Sequence, residues 1–160
     1  MSEVLLQQIE NLAAEAKTKS TQLRKGETIV EVDQSQLKNF VKRLVTETSA
    51  RHLSTITGLD LDQNIGIIYH FWYERDTIHV KTFVPKTAPT AFSIVDIIPG
   101  AILYEMEIHD MFGVTFTGNP WMDKKLLLPD NWPSDLPPPL LKNADAAEIR
   151  KRLGLEVEKK

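Results

Sequence analysis

Two β-rich runs on either side of a short polar break constrain this chain more than any other feature. Residues 65–74 read IGIIYHFWYE and residues 77–84 read TIHVKTFV, with Arg75-Asp76 between them. Alternating apolar and polar residues in two such runs predict a β-hairpin. If the loop is Arg75-Asp76, then Tyr69, Phe71 and Tyr73 share one face with Ile78, Val80 and Thr82, and that face belongs to the core. His70, Trp72 and Glu74 then share the other face with Thr77, His79 and Lys81. Arg-Asp is not a usual two-residue turn pair, so the alternation fixes the faces more firmly than the turn fixes the register.

Helical spacing flanks the hairpin. Val4, Leu5, Ile9, Leu12, Ala13 and Ala16 recur as one face of an N-terminal helix over residues 3–18. Gly26 ends a polar linker, and Thr28–Val32 reads as a strand. Asp33 suits a helix N-cap, with Gln36 three residues on, ahead of Leu37, Phe40, Val41, Leu44 and Val45. Residues 51–58 are a weaker strand candidate. Ser93 caps a short turn toward Ile98, and a helix follows Pro99-Gly100 over residues 101–111.

After Gly113 the texture changes. GNPW, LLLPDNWPSDLPPPLLK and a charged end hold most of the nine prolines. Proline fixes φ and removes amide donors, so an extended course is expected. Trp121, Leu126, Leu127, Leu128, Trp132, Leu136, Leu140 and Leu141 give this stretch too much apolar surface for a free linker. It packs either on its own body or on a partner, and stiffening by proline lowers the entropy cost of the second. Asp145 and Glu148 suit the start of a last short helix that ends near Gly154. The expected architecture is α+β. N-terminal helices pack on a mostly antiparallel sheet in a body over residues 1–112. Residues 113–160 form an extended Pro-rich C-terminal docking arm with a short terminal helix.

Chemistry is sparse. The chain has no cysteine, which removes disulfides, thiolate zinc and all-cysteine iron–sulfur sites. The seven glycines form neither a phosphate loop nor a dinucleotide fingerprint. A formal net charge of -3 without a basic cluster gives no footprint for nucleic acid. No signal-like or membrane-spanning run is present, so a soluble, cytoplasmic chain is expected, with any membrane link made through partners. His70 and His79 lie diagonally on one face in the assumed register. With Glu74 they could ligate a metal, although histidines on a solvated hairpin face are the commoner arrangement.

The sharpest feature is YEMEIHDMFG, residues 104–113. On a helix Glu107 and Asp110 are i,i+3 neighbours, and Glu105 precedes His109 by four. Carboxylates so close could share a proton, form a charged docking face or accept hydrogen bonds from the backbone of the following chain. Spacing alone does not separate these. Gly113 suits a left-handed C-cap that turns the chain sharply.

The whole run YEMEIHDMFGVTFTGNPWMDKKLLLP, residues 104–129, resembles the signature of the C subunit of respiratory complex I, the NADH dehydrogenase. That family includes related subunits of membrane-bound nickel–iron hydrogenases and similar energy-converting complexes. Glu105, Glu107, Asp110, Met111, Phe112, Gly113, Phe116, Gly118, Pro120, Lys124, Lys125 and Leu126 match its pattern in order. Trp121 stands within the same run.

Three departures favour the hydrogenase-like branch. Met106 stands where the complex I branch commonly has Arg, and Asn119 where it commonly has His. PPPLLKN replaces a Leu-Arg-Lys-Asp motif.

The resemblance implies a subunit without cofactors or catalysis of its own. It would dock on a large subunit that holds a nickel–iron centre, or its quinone-site equivalent, beside a small iron–sulfur subunit. The expected place is peripheral, at the cytoplasmic face of an ion-translocating membrane complex. In this reading Glu105, Glu107 and Asp110 are interface or cap residues, and Lys124 and Lys125 face acidic groups of the large subunit. The alternatives are a subunit of a quinone-reducing, sulfur-reducing or formate-linked complex, a small acid/base enzyme using Glu107, His109 and Asp110, and a stand-alone interaction module.

Overall fold

A computed structural model describes residues 3–48 and 50–155. Two helices open and brace the fold: α1, Glu3–Glu15, and α2, Gln34–Glu47. Five strands form the main sheet: β1 Ser20–Arg24, β2 Glu27–Glu31, β3 His52–Asp60, β4 Asn64–Tyr73 and β5 Asp76–Pro85. Their order is β1-β2-β5-β4-β3. The β2·β5 pair is parallel and the other three are antiparallel. A second, two-stranded parallel sheet joins β6, Thr90–Phe92, to β7, Thr115–Thr117, on either side of helix α3, Ala101–Phe112. A short helix α4, Ala146–Arg152, follows. The fold is α+β, as the alternating and helical patterns predict. Among the described residues no helix is long and apolar enough to cross a membrane.

Helices α1 and α2 and strands β4 and β5 bury the faces their periodicity predicts, except that Val4, expected on the buried face of α1, is 70% exposed at the start of the helix. Leu5, Ile9, Leu12 and Ala13 of α1 and Leu37, Phe40, Val41 and Leu44 of α2 are buried. They lie over one face of the sheet, where Tyr69, Phe71, Ile78 and Val80 are fully enclosed. The Asp33 carboxylate caps α2 by accepting from the Ser35 N–H at 2.8 Å. Gly113 closes α3 at φ 76°, its N–H donating to the His109 carbonyl at 2.8 Å. Asp145 caps α4 through the Ala147 N–H.

The hairpin keeps its faces but shifts its register by two residues. Phe71 opposes Ile78 and Tyr73 opposes Asp76, so the loop is Glu74-Arg75, with Glu74 at φ 54°. A shift of two preserves side-chain parity, so the core assignment survives. The reason lies in a third strand. Thr77 donates its N–H to the Gly26 carbonyl at 2.8 Å, and β2 pairs in parallel from Glu27↔Thr77 onward. The entry of β5 is therefore fixed by β2 and not by turn chemistry alone. β1 lies in the segment read as a polar linker. Four of its five residues are exposed, so it carries no alternating pattern and is a strand only through its ladder to β2.

Beyond β7 the chain runs in turns and bends to α4. Phe116 is 1% exposed and Val114 is fully buried, so the chain leaves α3 inside the core before it surfaces. Farther on, Leu140 donates its N–H to the Met111 carbonyl at 3.1 Å, and Lys142 donates its N–H to the Asp60 carboxylate at 2.6 Å. Leu141 packs against the core.

Candidate docking site

Helix α3 is the scaffold of the site. Glu105, Met106, Ile108, Asp110 and Phe112 are buried, whereas Glu107 points outward. Two carboxylates of α3 therefore sit inside the molecule, and a buried carboxylate demands donors. Glu105 has three. Its Oε1 accepts from the Ile94 N–H at 2.8 Å, and its Oε2 accepts from Ser93 Oγ at 2.8 Å and Asn119 Nδ2 at 2.9 Å. Burial nevertheless pushes this carboxyl above its ordinary range; the three donors pull it back only in part, and Asp96 adds to the upward push. Asn119 then links onward, donating to the Ile102 carbonyl at 3.1 Å and accepting from the Trp121 N–H at 2.9 Å. Glu105 thus ties α3 to the turn after β6 and to the Gly118-Asn119 bend, where Gly118 holds φ 102°.

Asp110 fixes the next stretch. Its Oδ2 accepts three successive backbone N–H groups, from Leu126 at 2.8 Å, Leu127 at 2.7 Å and Leu128 at 3.1 Å. Successive amides converging on one anion form a nest, and here the anion is the protein's own carboxylate. The consequence is outward. With their amides turned in, Leu126 is 38% and Leu127 58% exposed, beside Trp121 at 40%. Lys124 Nζ lies 5.3 Å over the Trp121 ring, and Lys125 is exposed. An apolar ridge edged by two lysines results, held from within by Asp110.

The remaining signature residues have packing roles. The Phe112 ring covers Gly58 so closely that a Cβ there would stand 2.4 Å from Phe112 Cε2. A Cβ on Gly113 would lie 3.0 Å from Pro138 Cγ. Phe116 is buried, with its N–H 3.4 Å from Met122 Sδ. Pro120 is exposed next to Trp121.

Glu107, His109 and Asp110 do not converge. His109 Nδ1 lies 2.9 Å from the Val114 carbonyl oxygen and serves the turn after α3. Asp110 faces the leucine amides, and Glu107 faces a groove beside β3.

The two hairpin histidines lie directly opposite each other, with their Nδ1 atoms 2.7 Å apart. Thr57 Oγ1 stands 2.9 Å from His70 Nε2, and a Glu27 carboxylate oxygen 2.9 Å from His79 Nε2. This row of side chains crosses four strands, and Glu74, which sits in the turn, has no part in it. Among the described residues no group of three or more His, Asp or Glu could hold a metal. Sequence reasoning missed Ser93 and Asn119 as donors to Glu105 and Glu27 as the partner of His79, because all are distant in the chain.

Comparison with known proteins settles the family. Residues 30–149 match the family described as respiratory-chain NADH dehydrogenase, 30 Kd subunit. The chain belongs to that family.

Among curated proteins, it is 36% identical over 112 residues to the C subunit of the NADH-quinone oxidoreductase of Jannaschia sp. (strain CCS1). The match covers 66% of this chain and 53% of that one. It is 29% identical over 115 residues to the corresponding NADH-quinone oxidoreductase protein of Roseiflexus castenholzii, covering 68% and 66%. The chain thus spans roughly half to two thirds of the length of these relatives.

In fold it is similar to a chain in the structure of the membrane-bound sulfane sulfur reductase, an archaeal respiratory membrane complex. The TM-score is 0.82 at 24% identity, over 99% of this chain and 96% of that chain. It is also similar to a trypsin-resistant fragment of Nqo5, with a TM-score of 0.64 at 20% identity, over 72% and 98%.

Proposed function

We propose that the protein is a docking subunit of a membrane-bound, ion-translocating oxidoreductase complex. It carries no cofactor or catalytic centre of its own and holds the large catalytic subunit in place. The observation that carries this reading is the ridge of Trp121, Leu126 and Leu127 with Lys124 and Lys125, pinned outward by a buried acid. A chain this size gains nothing by presenting those side chains to water, and aromatic and aliphatic anchors rimmed by cations suit a partner surface with acidic groups around apolar pockets. Family membership supports the same role, since the matching relatives are named as subunits of an NADH-quinone oxidoreductase.

Within the family we favour the hydrogenase-like, energy-converting branch, with iron–sulfur clusters in a small partner subunit and a nickel–iron-type centre in the large one. Met106 and Asn119 support it. Met106 is buried, where an Arg would need a paired acid, and Asn119 spends its amide on Glu105. A quinone-reducing complex is the second reading, favoured by the relatives' names. The subunit sits at the cytoplasmic face and reaches the membrane only through partners.

The test is affinity capture of the tagged chain from its native membranes, with metal analysis and mass spectrometry of what accompanies it. A large subunit with nickel and iron is the expected result. Iron without nickel moves the assignment to the quinone or sulfur branch, and a chain captured alone overturns the docking role.

A further inference from the structure

We propose that the outer edge of β3 receives an extended segment of the large partner subunit as an added strand, with a Lys or Arg of that segment facing Glu107. The inference rests on the docking role above and adds a second contact, remote in sequence from the leucine ridge.

β3 ends the main sheet, so only one of its edges is paired. Register shows which groups the free edge offers. Leu61 donates its N–H to the Asn64 carbonyl at 3.0 Å, and residues 55–60 pair with β4 in the same phase. In an antiparallel ladder hydrogen-bonded and non-bonded pairs alternate. Thr55, Thr57 and Leu59 therefore turn their backbone groups to β4, and Ile56 and Gly58 turn theirs outward. Among the described residues, no backbone group outside the ladder bonds to Ile56 or Gly58.

The two edges of the sheet differ in how they are defended. β1 is short, bulged and charged, with Arg24 in the strand and Lys19 and Lys25 beside it. Such features keep strangers from pairing. The stretch Leu53–Leu59 reads LSTITGL, without a charge or a proline. Its one irregularity lies between Leu53 and Thr55, and residues 55–59 run in regular register, about 17 Å of edge, before Asp60, which is held by Lys86 and the Lys142 N–H. An uncharged, β-branched edge whose outward backbone groups at Ile56 and Gly58 have no partner among the described residues is a hazard unless the assembly covers it.

The surroundings select the occupant. A groove of about 250 Å³ runs beside this edge, lined by Ile56, Gly58, Glu107, Met111 and Leu140. It offers apolar contact for alternate side chains of an incoming strand and one acid, since Glu107 is exposed and has no ion pair among the described residues. Main-chain bonds along the edge with a pocket for alternate side chains is the physics of strand addition. A second copy of this chain is disfavoured. Antiparallel pairing of two β3 edges brings two Glu107 carboxylates toward one interface, where like charges repel.

Hydrogen–deuterium exchange on the full chain, alone and in the complex captured from native membranes, tests this. The amides of Ile56 and Gly58 are expected to exchange at least about tenfold more slowly in the complex. Thr55→Lys, which places a charge on the exposed edge, is expected to lower partner capture by about tenfold or more while the isolated chain melts unchanged. A complex that forms with both amides still exchanging fast overturns the strand addition and leaves the docking role standing. Slowing in the isolated chain that grows with its concentration means a second copy occupies the edge and also overturns the proposal. Failure of the unmodified chain to capture any partner removes the docking role, and this inference with it.

Discussion

At the scale of single residues, the molecule turns on two buried acids used in opposite ways. Asp110 satisfies three amides, so its loss strands donors that no other group reaches. Asp110→Ala is expected to cost about 1–3 kcal/mol in urea unfolding and to speed amide exchange at Leu126–Leu128. Unchanged exchange there would show that the nest does not depend on the carboxylate.

Glu105 works against its own burial. Its folded pKa is raised above the ordinary 4.5. A carboxyl shifted upward binds its proton more tightly when folded, so its contribution is fully present below pH 4.5 and is lost as pH rises through the folded value. The stability of the wild type relative to Glu105→Gln should therefore be most favourable at acid pH and decline toward neutrality. Urea midpoints across that range check this, and a flat difference would show that Glu105 titrates as an ordinary acid.

The sequence named acceptance of backbone amides as one possible use of these acids, and Asp110 has it. It could not reveal that Ser93 and Asn119 serve Glu105, because those partners lie 12 and 14 residues away and carry no motif of their own.

Among the elements, the contact between α3 and β3 is the tightest constraint. The Phe112 ring occupies the space a side chain at residue 58 would need. Gly58→Ala is expected to destabilise the protein by about 1–3 kcal/mol. Pairing it with Phe112→Leu should recover part of that loss, so the double variant is less destabilised than the sum of the singles. Strict additivity in denaturant titrations would mean that the two side chains do not compete for one volume.

Helices α1 and α2 were legible because each buries a stripe of 3.6-residue period, α4 because of its Asp145 cap, and the hairpin because its faces alternate. What escaped was relational. The register of β4·β5 depends on β2, which is distant in sequence, and β1 is a strand only because β2 offers it a ladder. Neither fact leaves a local pattern. Gly113 was legible because a left-handed C-cap is a one-residue requirement.

For the whole molecule, the proposed docking role and the stability of the fold fall on different atoms of the same short segment. The backbone of residues 126–128 faces inward to Asp110, while the side chains of Leu126 and Leu127 face solvent. That division predicts a separation of effects. Replacing Leu127, 58% exposed, with Asp removes no amide donor and opens no cavity, so the isolated chain should keep its stability within about 0.5 kcal/mol. Changing Lys125 to Glu in the same chain reverses one of the two exposed charges beside the ridge. Together they should lower capture of the partner by about tenfold or more, because an interface anchor is lost and a cation is exchanged for an acid. Thermal unfolding of the isolated variant beside quantitative capture from membranes reads both quantities. Loss of both at once would mean that the ridge helps hold the fold together. Retention of both would mean that the partner binds elsewhere, leaving the edge of β3 as the surface to examine.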